Sequence, residues 1–233
     1  MEVINLLKSK ELRAKAWDSL KGKYWLAFVS TIITGLICSV GSFFVSYGQD
    51  MSEIPSMVDQ GQMDAVATAG AVVIAVMALV VVGVGCITNV FISNPAIIGS
   101  CNYYIKNVDS KPSLVEVFSG YKTRYGRNIK TMLLVDIKLV LWSILFLIPG
   151  IIKSFEYAII PYILADDAEI SSKDAFKKAK QMMKGNKWRM FKLEFSFIGW
   201  FMLCVLTLGI GTFFLMPYVS ATFAEFYMEL KNK

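Results

Sequence analysis

Long runs of apolar residues without any charge are the feature that most constrains this chain. Residues 25–47 and 65–93 each contain at least 20 consecutive residues without a charged side chain, enough for a helix that crosses the roughly 30 Å hydrocarbon core of a bilayer. These residues do not alternate with polar ones, as the strands of a membrane barrel do. With 55% apolar and 18% charged residues, the composition is far from that of a soluble domain. The sequence predicts an all-α polytopic membrane protein with a single membrane domain, residues 1–233.

Four shorter apolar blocks complete six predicted transmembrane helices, arranged as three hairpins. The predicted spans are about 25–47, 65–93, 129–148, 151–165, 193–208 and 212–227. Pro149-Gly150 predicts a turn between spans three and four, and the glycines of Thr207-Leu208-Gly209-Ile210-Gly211 predict one between spans five and six. The alternative is a single long span over residues 193–216 followed by an interfacial tail, which places the C-terminus outside.

Basic residues indicate the orientation, because Lys and Arg in short loops stay on the cytoplasmic side. Six precede the first block, six lie in residues 102–130, eight in 166–192 and two after the last block, whereas the predicted outer loop, 48–64, has none and carries four acidic residues. The six-span arrangement with both termini in the cytoplasm therefore places every loop cation on one face.

A serine followed 13 residues later by a glycine recurs before three of the predicted hairpins, as Ser9 to Gly22, Ser113 to Gly126 and Ser172 to Gly185. Serine favours a helix N-cap and glycine a helix stop, so residues 1–24, 113–128 and 171–190 are predicted to form cytoplasmic amphipathic helices. The middle copy matches less closely, although Ser113 and Glu116 have capping-box spacing. Apolar residues share one helical face in the first and third copies: Leu12, Ala16, Leu20 and Ala175, Ala179, Met183.

These helices are predicted to lie on the membrane surface, with aromatic and basic side chains that contact anionic lipid headgroups. The predicted anchors comprise two tryptophans and four basic residues: Trp25, Trp188, Lys21, Lys184, Lys187 and Arg189. The alternative is that the three segments are ordinary linkers that obey the positive-inside rule.

Charged residues inside the predicted third and fourth spans form a candidate intramembrane polar cluster: Asp136, Lys138, Lys153 and Glu156. Each costs about 2.5–3.5 kcal/mol at a bilayer centre, so each needs a partner. Lys153 and Glu156 lie three residues apart on one helical face and are able to pair, whereas Asp136 and Lys138 are about 200° apart. The cluster either binds a headgroup, an ion or a small substrate, or fixes the register of the helices.

The sequence offers little evidence for an enzyme. It has no histidine, which removes the commonest general base and the commonest metal ligand, and no CxxC pair, phosphate-binding loop or paired-carboxylate motif. Ser119-x-x-Lys122 matches an acyl-transfer pattern, but no second catalytic motif accompanies it. We therefore predict no catalytic residues, no metal and no cofactor. The net charge of +6 is explained by positive-inside loops, so no nucleic acid is required as a partner.

Several segments resemble a known family. They are Ile148-Pro149-Gly150-Ile151-Ile152-Lys153-Ser154-Phe155-Glu156-Tyr157, Pro161-Tyr162-Ile163-Leu164-Ala165-Asp166, Met183-Lys184-Gly185-Asn186-Lys187-Trp188-Arg189, Leu206-Thr207-Leu208-Gly209-Ile210-Gly211 and Pro217-Tyr218. From about Ser113 onwards, and more weakly before it, the chain resembles domain of unknown function 975, an uncharacterised family of bacterial integral membrane proteins. The resemblance implies a multi-pass protein of the bacterial cytoplasmic membrane, and it carries over no catalytic residue.

Together, these features predict a non-enzymatic membrane protein that recognises lipid or a membrane-active peptide, or modulates a membrane complex. A membrane protein partner and a homo-oligomer are both compatible with the sequence. The alternative function is a small transporter or permease subunit that uses the charges of spans three and four.

Overall fold

The computed structural model describes residues 9–53, 65–145 and 147–233, and within these ranges the chain is helical and contains no strand. The predicted all-α class is therefore confirmed. In chain order the helices are α1 (Ser9–Leu20), α2 (Tyr24–Glu53), α3 (Ala65–Thr88), a π-helical turn (Asn89–Ser93), α4 (Asn94–Asp109), a 3₁₀ turn (Leu114–Phe118), α5 (Ser119–Lys122), α6 (Tyr125–Leu145), α7 (Leu147–Tyr157), α8 (Ile160–Asp166), α9 (Ser172–Met183), α10 (Lys187–Phe195), α11 (Ile198–Leu206) and α12 (Ile210–Lys231).

The chain divides into two compact units. Unit 2, Gly35–Asn94, contains the second part of α2, all of α3 and the π-helical turn. Unit 1, Met1–Thr34 with Pro95–Lys233, contains the remaining helices. In unit 1, α1 packs along α12, α6 packs on α7, and α9 packs on α7 and α8. The core of unit 1 therefore lies where the amphipathic helices meet the apolar ones.

The first and third copies of the predicted repeat adopt the same local structure. α1 and α9 are both 12 residues long, and each ends at a three-residue turn whose glycine, Gly22 or Gly185, has a positive φ. The turns share their backbone hydrogen bonds, since Lys21 and Lys184 each donate to the residue three before, as do Lys23 and Asn186. Ser171 accepts a hydrogen bond from Asp174 N as the N-cap of α9, one residue before the predicted Ser172.

The predicted apolar face of both helices is confirmed, and protein covers it. Leu12, Ala16 and Leu20 of α1 are all buried, and so are the three matching residues of α9. Most of the contacts that cover them come from α12 for the first helix and from α7 and α8 for the second. The hydrophobic face of each helix is therefore used inside the protein.

The middle copy of the repeat does not form one helix, contrary to the prediction for residues 113–128. Ser113 begins a 3₁₀ turn and accepts from Val115 N, and the side chain of Glu116 is bound by Asn102 and Lys106 instead of closing a capping box. A short helix, α5, follows before α6 begins at Tyr125. The physical reason is a close approach of backbones: a Cβ at Gly99 would lie 1.8 Å from the carbonyl oxygen of Val117.

Two helical hairpins in unit 1 occupy the predicted blocks three to six. α6 is followed by α7 and α11 by α12, and the helices of each pair pack together. The second turn is confirmed, because Leu208 and Gly209 have φ values of +52° and +85°. The alternative of a single span over residues 193–216 is therefore wrong.

The chain also reverses between α6 and α7, as predicted, and the two helices lie so close that a Cβ at Gly150 would be 3.2 Å from the Cα of Ser143. Contrary to the prediction, Pro149 does not end a helix. It lies in the first turn of α7, where the missing N–H of proline removes no helical hydrogen bond.

The predicted spans and the helices differ at three further places. Block four is divided between α7 and α8, block five is divided between α10 and α11, and block two continues through the π-helical turn into α4, with Pro95 as its second residue. The predicted outer loop, 48–64, lies largely outside the described residues, and its first six residues continue α2.

Two candidates for a bilayer-crossing helix are found in the described residues. The helical stretch Gly70–Asp109, 40 residues long, is sufficiently long and apolar. Ser9–Leu20 and Tyr24–Ser39 pass the same test only together, and they are bent by 100° at the turn between them. Six crossings are not confirmed, because α6 carries four charges among its 21 residues and because α7 and α11 are short.

Candidate functional site

A buried carboxylate lies between two lysines where α7 meets α10. Glu156 is one turn after Lys153 on α7, and Lys187 is the first residue of α10. Glu156 Oε1 lies 3.0 Å from Lys153 Nζ, and Oε2 lies 2.6 Å from Lys187 Nζ. The side chain of Glu156 is only 5% exposed. The predicted pair is therefore present, and a second cation joins it from another helix.

Aromatic rings surround the cationic side of this site. Lys153 Nζ lies 5.9 Å from the ring centroid of Trp142 and 5.8 Å from that of Tyr157. Tyr157 makes an edge-to-face contact with Phe176 of α9, and Lys138 Nζ lies 3.6 Å from the Phe176 centroid, within cation–π range. Lys138 is thus connected to the ion pair through two rings.

Asp136, the fourth residue of the predicted cluster, is half-buried on α6. It lies about 200° around the helix from Lys138, so the two side chains leave α6 on different faces. Lys138, Lys153 and Glu156 lie in one chain of contacts that connects α6, α7, α9 and α10.

The chemistry of the Glu156 site is that of a buried ion pair with charge-assisted hydrogen bonds. Each carboxylate oxygen accepts from one ammonium group, and both lysines are partly exposed, at 25% and 33% of their side-chain surface. Removal of one partner from such a site leaves an uncompensated charge and is strongly destabilising. The geometry suits a joint between helices better than a reactive centre.

The predicted membrane anchors fall into two groups. Trp25 and Trp188 are mostly exposed, each as the second residue of the helix that follows a positive-φ glycine. Lys184 is also exposed, and Lys21 pairs with the exposed Asp18. Lys187 and Arg189 instead bind carboxylates inside the protein, since Arg189 Nη2 donates to both oxygens of Glu229 at 3.0 Å. These two residues have structural partners that the sequence did not indicate.

Arg127 is a polar centre that sequence analysis missed. Its guanidinium donates to the carbonyl oxygens of Leu164, Asp167, Ala168 and Ile170 at 2.8–3.3 Å. It therefore binds one carbonyl group in the last turn of α8 and three in the segment that follows α8. Burial and the nearby Arg124 charge lower the pKa of Arg127 below its usual value, but an arginine remains charged at neutral pH. Nothing distinguishes it in the sequence from the other loop cations.

The segments predicted to be cytoplasmic meet one another in unit 1. Lys23 Nζ donates to the carbonyl oxygens of Asn107 and Ser110 at 3.1 and 2.6 Å. Near the C-terminus, Lys231 Nζ lies 2.7 Å from Asp166 Oδ1, and Tyr227 donates to the other oxygen of that carboxylate at 2.9 Å. All four basic segments therefore take part in the packing of this unit.

These features define an all-helical protein with a packed basic part and two helical hairpins that expose apolar side chains. Residues 144–233 match the model of the family described as Protein of unknown function (DUF975). The predicted resemblance is confirmed over this range, which begins after the expected Ser113. No curated protein and no solved structure matches the chain.

Proposed function

We propose that the chain is a non-enzymatic integral membrane protein that binds anionic lipid at the inner surface of a bacterial cytoplasmic membrane. A single observation carries the proposal. Most of the exposed side chains near the tips of the two hairpins of unit 1 are apolar, whereas most residues in the C-terminal half of α12 are buried by protein. Such a surface would be unstable in water and is what a lipid environment requires.

The α11–α12 hairpin shows the contrast most sharply. No charged residue occurs from Phe195 to Ala224. At the tip, Leu206 and Leu208 are 80% and 94% exposed, whereas Phe226 near the C-terminal end of α12 is fully buried. Ile144, near the end of α6, is also largely exposed, so both tips share this property.

The contacts between the basic segments support the predicted orientation. The contact of Lys23 with residues 107 and 110 joins the N-terminal and middle basic segments, and the ion pair between Lys231 and Asp166 joins the third segment to the C-terminal one. The packing of α1 along α12 joins the N-terminal segment to the C-terminal helix. Basic residues that lie together next to a bilayer belong on its cytoplasmic side. This arrangement supports a C-terminus on the same side as the N-terminus.

Each hairpin of unit 1 pairs a long helix, α6 or α12, of 21 or 22 residues, with a shorter helix, and the shorter one limits how deeply the hairpin enters the bilayer. α7 has 11 residues and α11 has nine, which correspond to about 16 and 14 Å at 1.5 Å per residue. A hydrocarbon core is about 30 Å thick. We propose that α6–α7 and α11–α12 enter from the cytoplasmic side and return to it at about half depth, and that full crossings belong to residues 24–109. The predicted six full crossings are the competing arrangement.

The Glu156 site supports a structural role for the predicted charges. Its carboxylate is held by two lysines from helices that pack together, which fixes α10 against α7. The alternative function as a transporter subunit needs a charge that changes its partner during a cycle. Substrate-dependent flux into proteoliposomes would favour that alternative.

Membrane fractionation and single-cysteine labelling test the proposal. The protein should remain in the membrane pellet after alkaline carbonate extraction. In a background without the native cysteines, Ser56→Cys in the predicted outer loop should react with an impermeant maleimide in intact cells, whereas Lys178→Cys should react only after permeabilisation. Labelling of Lys178→Cys in intact cells, or release of the protein by carbonate, would contradict the proposal.

A single-cysteine variant at a hairpin tip separates half-depth insertion from full crossing. Leu208→Cys should resist the impermeant reagent on both sides if the tip lies within the hydrocarbon core. Its reaction from outside intact cells would establish that α11 and α12 cross fully.

A further inference from the structure

An apolar cleft of about 530 Å³ lies between α1, α11 and α12. It runs between the two antiparallel arms of the hairpin, from Thr207 near the tip towards the side chain of Trp17 on α1. Its volume lies within the range of small-molecule sites. The side chains that give it its apolar character are Trp17, Trp200, Leu203, Phe214, Leu215 and Tyr218.

A second cavity, of about 440 Å³, adjoins the first and is basic. It is lined by Lys10, Arg13 and Ala14 of α1, together with Trp17 and Tyr218. The two aromatic residues are shared by both cavities, and their rings meet edge to face with centroids 6.0 Å apart. The apolar cleft therefore opens directly onto a pair of positive charges.

The arginine of this mouth is held in place. Arg13 Nε donates to Tyr218 Oη at 3.2 Å, and its guanidinium lies 5.2 Å from the ring centroid of Phe197. Among the described residues, neither Lys10 nor Arg13 forms an ion pair with a carboxylate. A rigid guanidinium suits a bidentate contact with a phosphate.

The acidic residues of α1 face elsewhere. At 100° per residue, Lys10, Arg13 and Trp17 fall within about 60° of one another, whereas Glu11 and Asp18 lie roughly 80–100° from Lys10. Asp18 is paired with Lys21. The charge at the mouth of the cleft is therefore positive and complementary to an anion.

An apolar cleft that ends at two cations, with a tryptophan and a tyrosine at the boundary, matches a molecule with an anionic head and a hydrocarbon tail. Tryptophan and tyrosine are enriched where membrane proteins pass from hydrocarbon to headgroup. We propose that the composite cleft binds one anionic phospholipid, with an acyl chain between α11 and α12 and the phosphate at Lys10 and Arg13. This inference rests on the proposed function, the binding of anionic lipid, and names the cleft at which the lipid binds.

Tryptophan quenching by brominated lipid tests the site, because Trp17 and Trp200 line the cleft. The full chain is placed in nanodiscs of phosphatidylcholine that contain increasing fractions of either phosphatidylglycerol or phosphatidylcholine brominated on one acyl chain. Brominated phosphatidylglycerol should quench at the lower mole fraction. Trp17→Phe and Trp200→Phe should each reduce this selective component, whereas Trp188→Phe should not.

Charge variants identify the headgroup contact. The double variant Lys10→Gln, Arg13→Gln should lower the preference for phosphatidylglycerol by about 30-fold. Each cation contributes about 1 kcal/mol, or about five-fold, and the two factors multiply. Lys177→Gln with Lys180→Gln is the matched control, because it makes the same charge change at the same spacing on α9, and should leave the preference unchanged. The single variant Lys10→Gln changes only an exposed side chain and leaves the aromatic contacts of Arg13 intact. It should therefore lower the preference by about five-fold without disturbing the fold.

Three outcomes would overturn the inference. Equal quenching by both brominated lipids would show that the cleft does not select the headgroup. An equal loss in the α9 control would assign the preference to general surface charge, and full competition by glycerol phosphate would show a headgroup site without a chain site. In each case the protein would still be incorporated into nanodiscs, whereas failure to incorporate would overturn the proposed function itself.

Discussion

The replacement Glu156→Gln tests whether the buried ion pair joins α7 to α10. Glutamine keeps the size and shape of the side chain but removes the charge that both lysines bind, at 3.0 and 2.6 Å. Loss of one partner from a buried pair costs about 3–5 kcal/mol. A quarter of the Lys153 side chain and a third of the Lys187 side chain are exposed. Water is therefore able to hydrate the unpaired ammonium groups, which reduces this cost. We expect a loss of about 3 kcal/mol, at the lower end of that range.

Thermal unfolding of the purified protein in detergent, followed by tryptophan fluorescence, measures this loss. For a chain of 233 residues, about 3 kcal/mol corresponds to a fall in Tm of roughly 6–12 °C. All variants are heated at one rate, because unfolding of such a protein is commonly irreversible. The matched control is Glu169→Gln, which removes the exposed pair with Arg124 and should cost about 0.5 kcal/mol or less.

A double-mutant cycle separates the ion pair from a general effect of the substitution. Lys187→Met alone leaves Glu156 bound to Lys153, and the variant that combines it with Glu156→Gln should lose less than the sum of the two single losses, by about 1–2 kcal/mol. If Glu156→Gln unfolds within 2 °C of the unmodified protein, or if the two losses are strictly additive, the assignment of Glu156 as a joint between the helices is refuted.

Three further substitutions test the fold with the same unfolding assay. Gly209→Ala should cost about 1–2 kcal/mol, because its φ of +85° is strained for any residue with a Cβ; Gly199→Ala, in open space within α11, should be neutral or slightly stabilising, and equal effects would contradict the turn. Arg127→Lys should cost about 1–3 kcal/mol, because an ammonium group cannot reach together the four carbonyl groups in and after the last turn of α8; an unchanged Tm would show that Arg127 does not stabilise this segment. Ala179→Leu should cost about 1–3 kcal/mol by overpacking a fully buried position, whereas a neutral result would show that the inner face of α9 is not packed as described.

The local features of this chain were determined by the sequence. Helix content follows from long apolar blocks, and the buried faces of α1 and α9 follow from a spacing of three to four residues, which is set by the geometry of a single helix. The turns at Gly22, Gly185 and Gly209 follow in the same way, because glycine adopts a positive φ without a steric cost. Each of these predictions needed only residues that are close together in the chain.

Some local predictions failed where distant contacts intervened. Residues 113–128 were expected to form one amphipathic helix, but Val117 lies against the backbone of Gly99 and the segment becomes a 3₁₀ turn and a short helix. Glu116, expected to close a capping box, is bound by Lys106 and Asn102 from α4. A favourable local pattern was therefore overridden by packing.

Only the tertiary structure decided what covers each face and what each charge binds. The spacing of Leu12, Ala16 and Leu20 shows that one side of α1 is apolar, but it fits burial against lipid and burial against protein equally well. The structure shows that α12 packs on α1, so protein covers this side. In the same way, Lys187 pairs with Glu156, which is 31 residues away in the sequence, and Arg13 donates a hydrogen bond to Tyr218, which is 205 residues away. Periodicity is a property of one helix, whereas these contacts depend on how several helices pack, and that packing is not recorded in any one stretch of sequence.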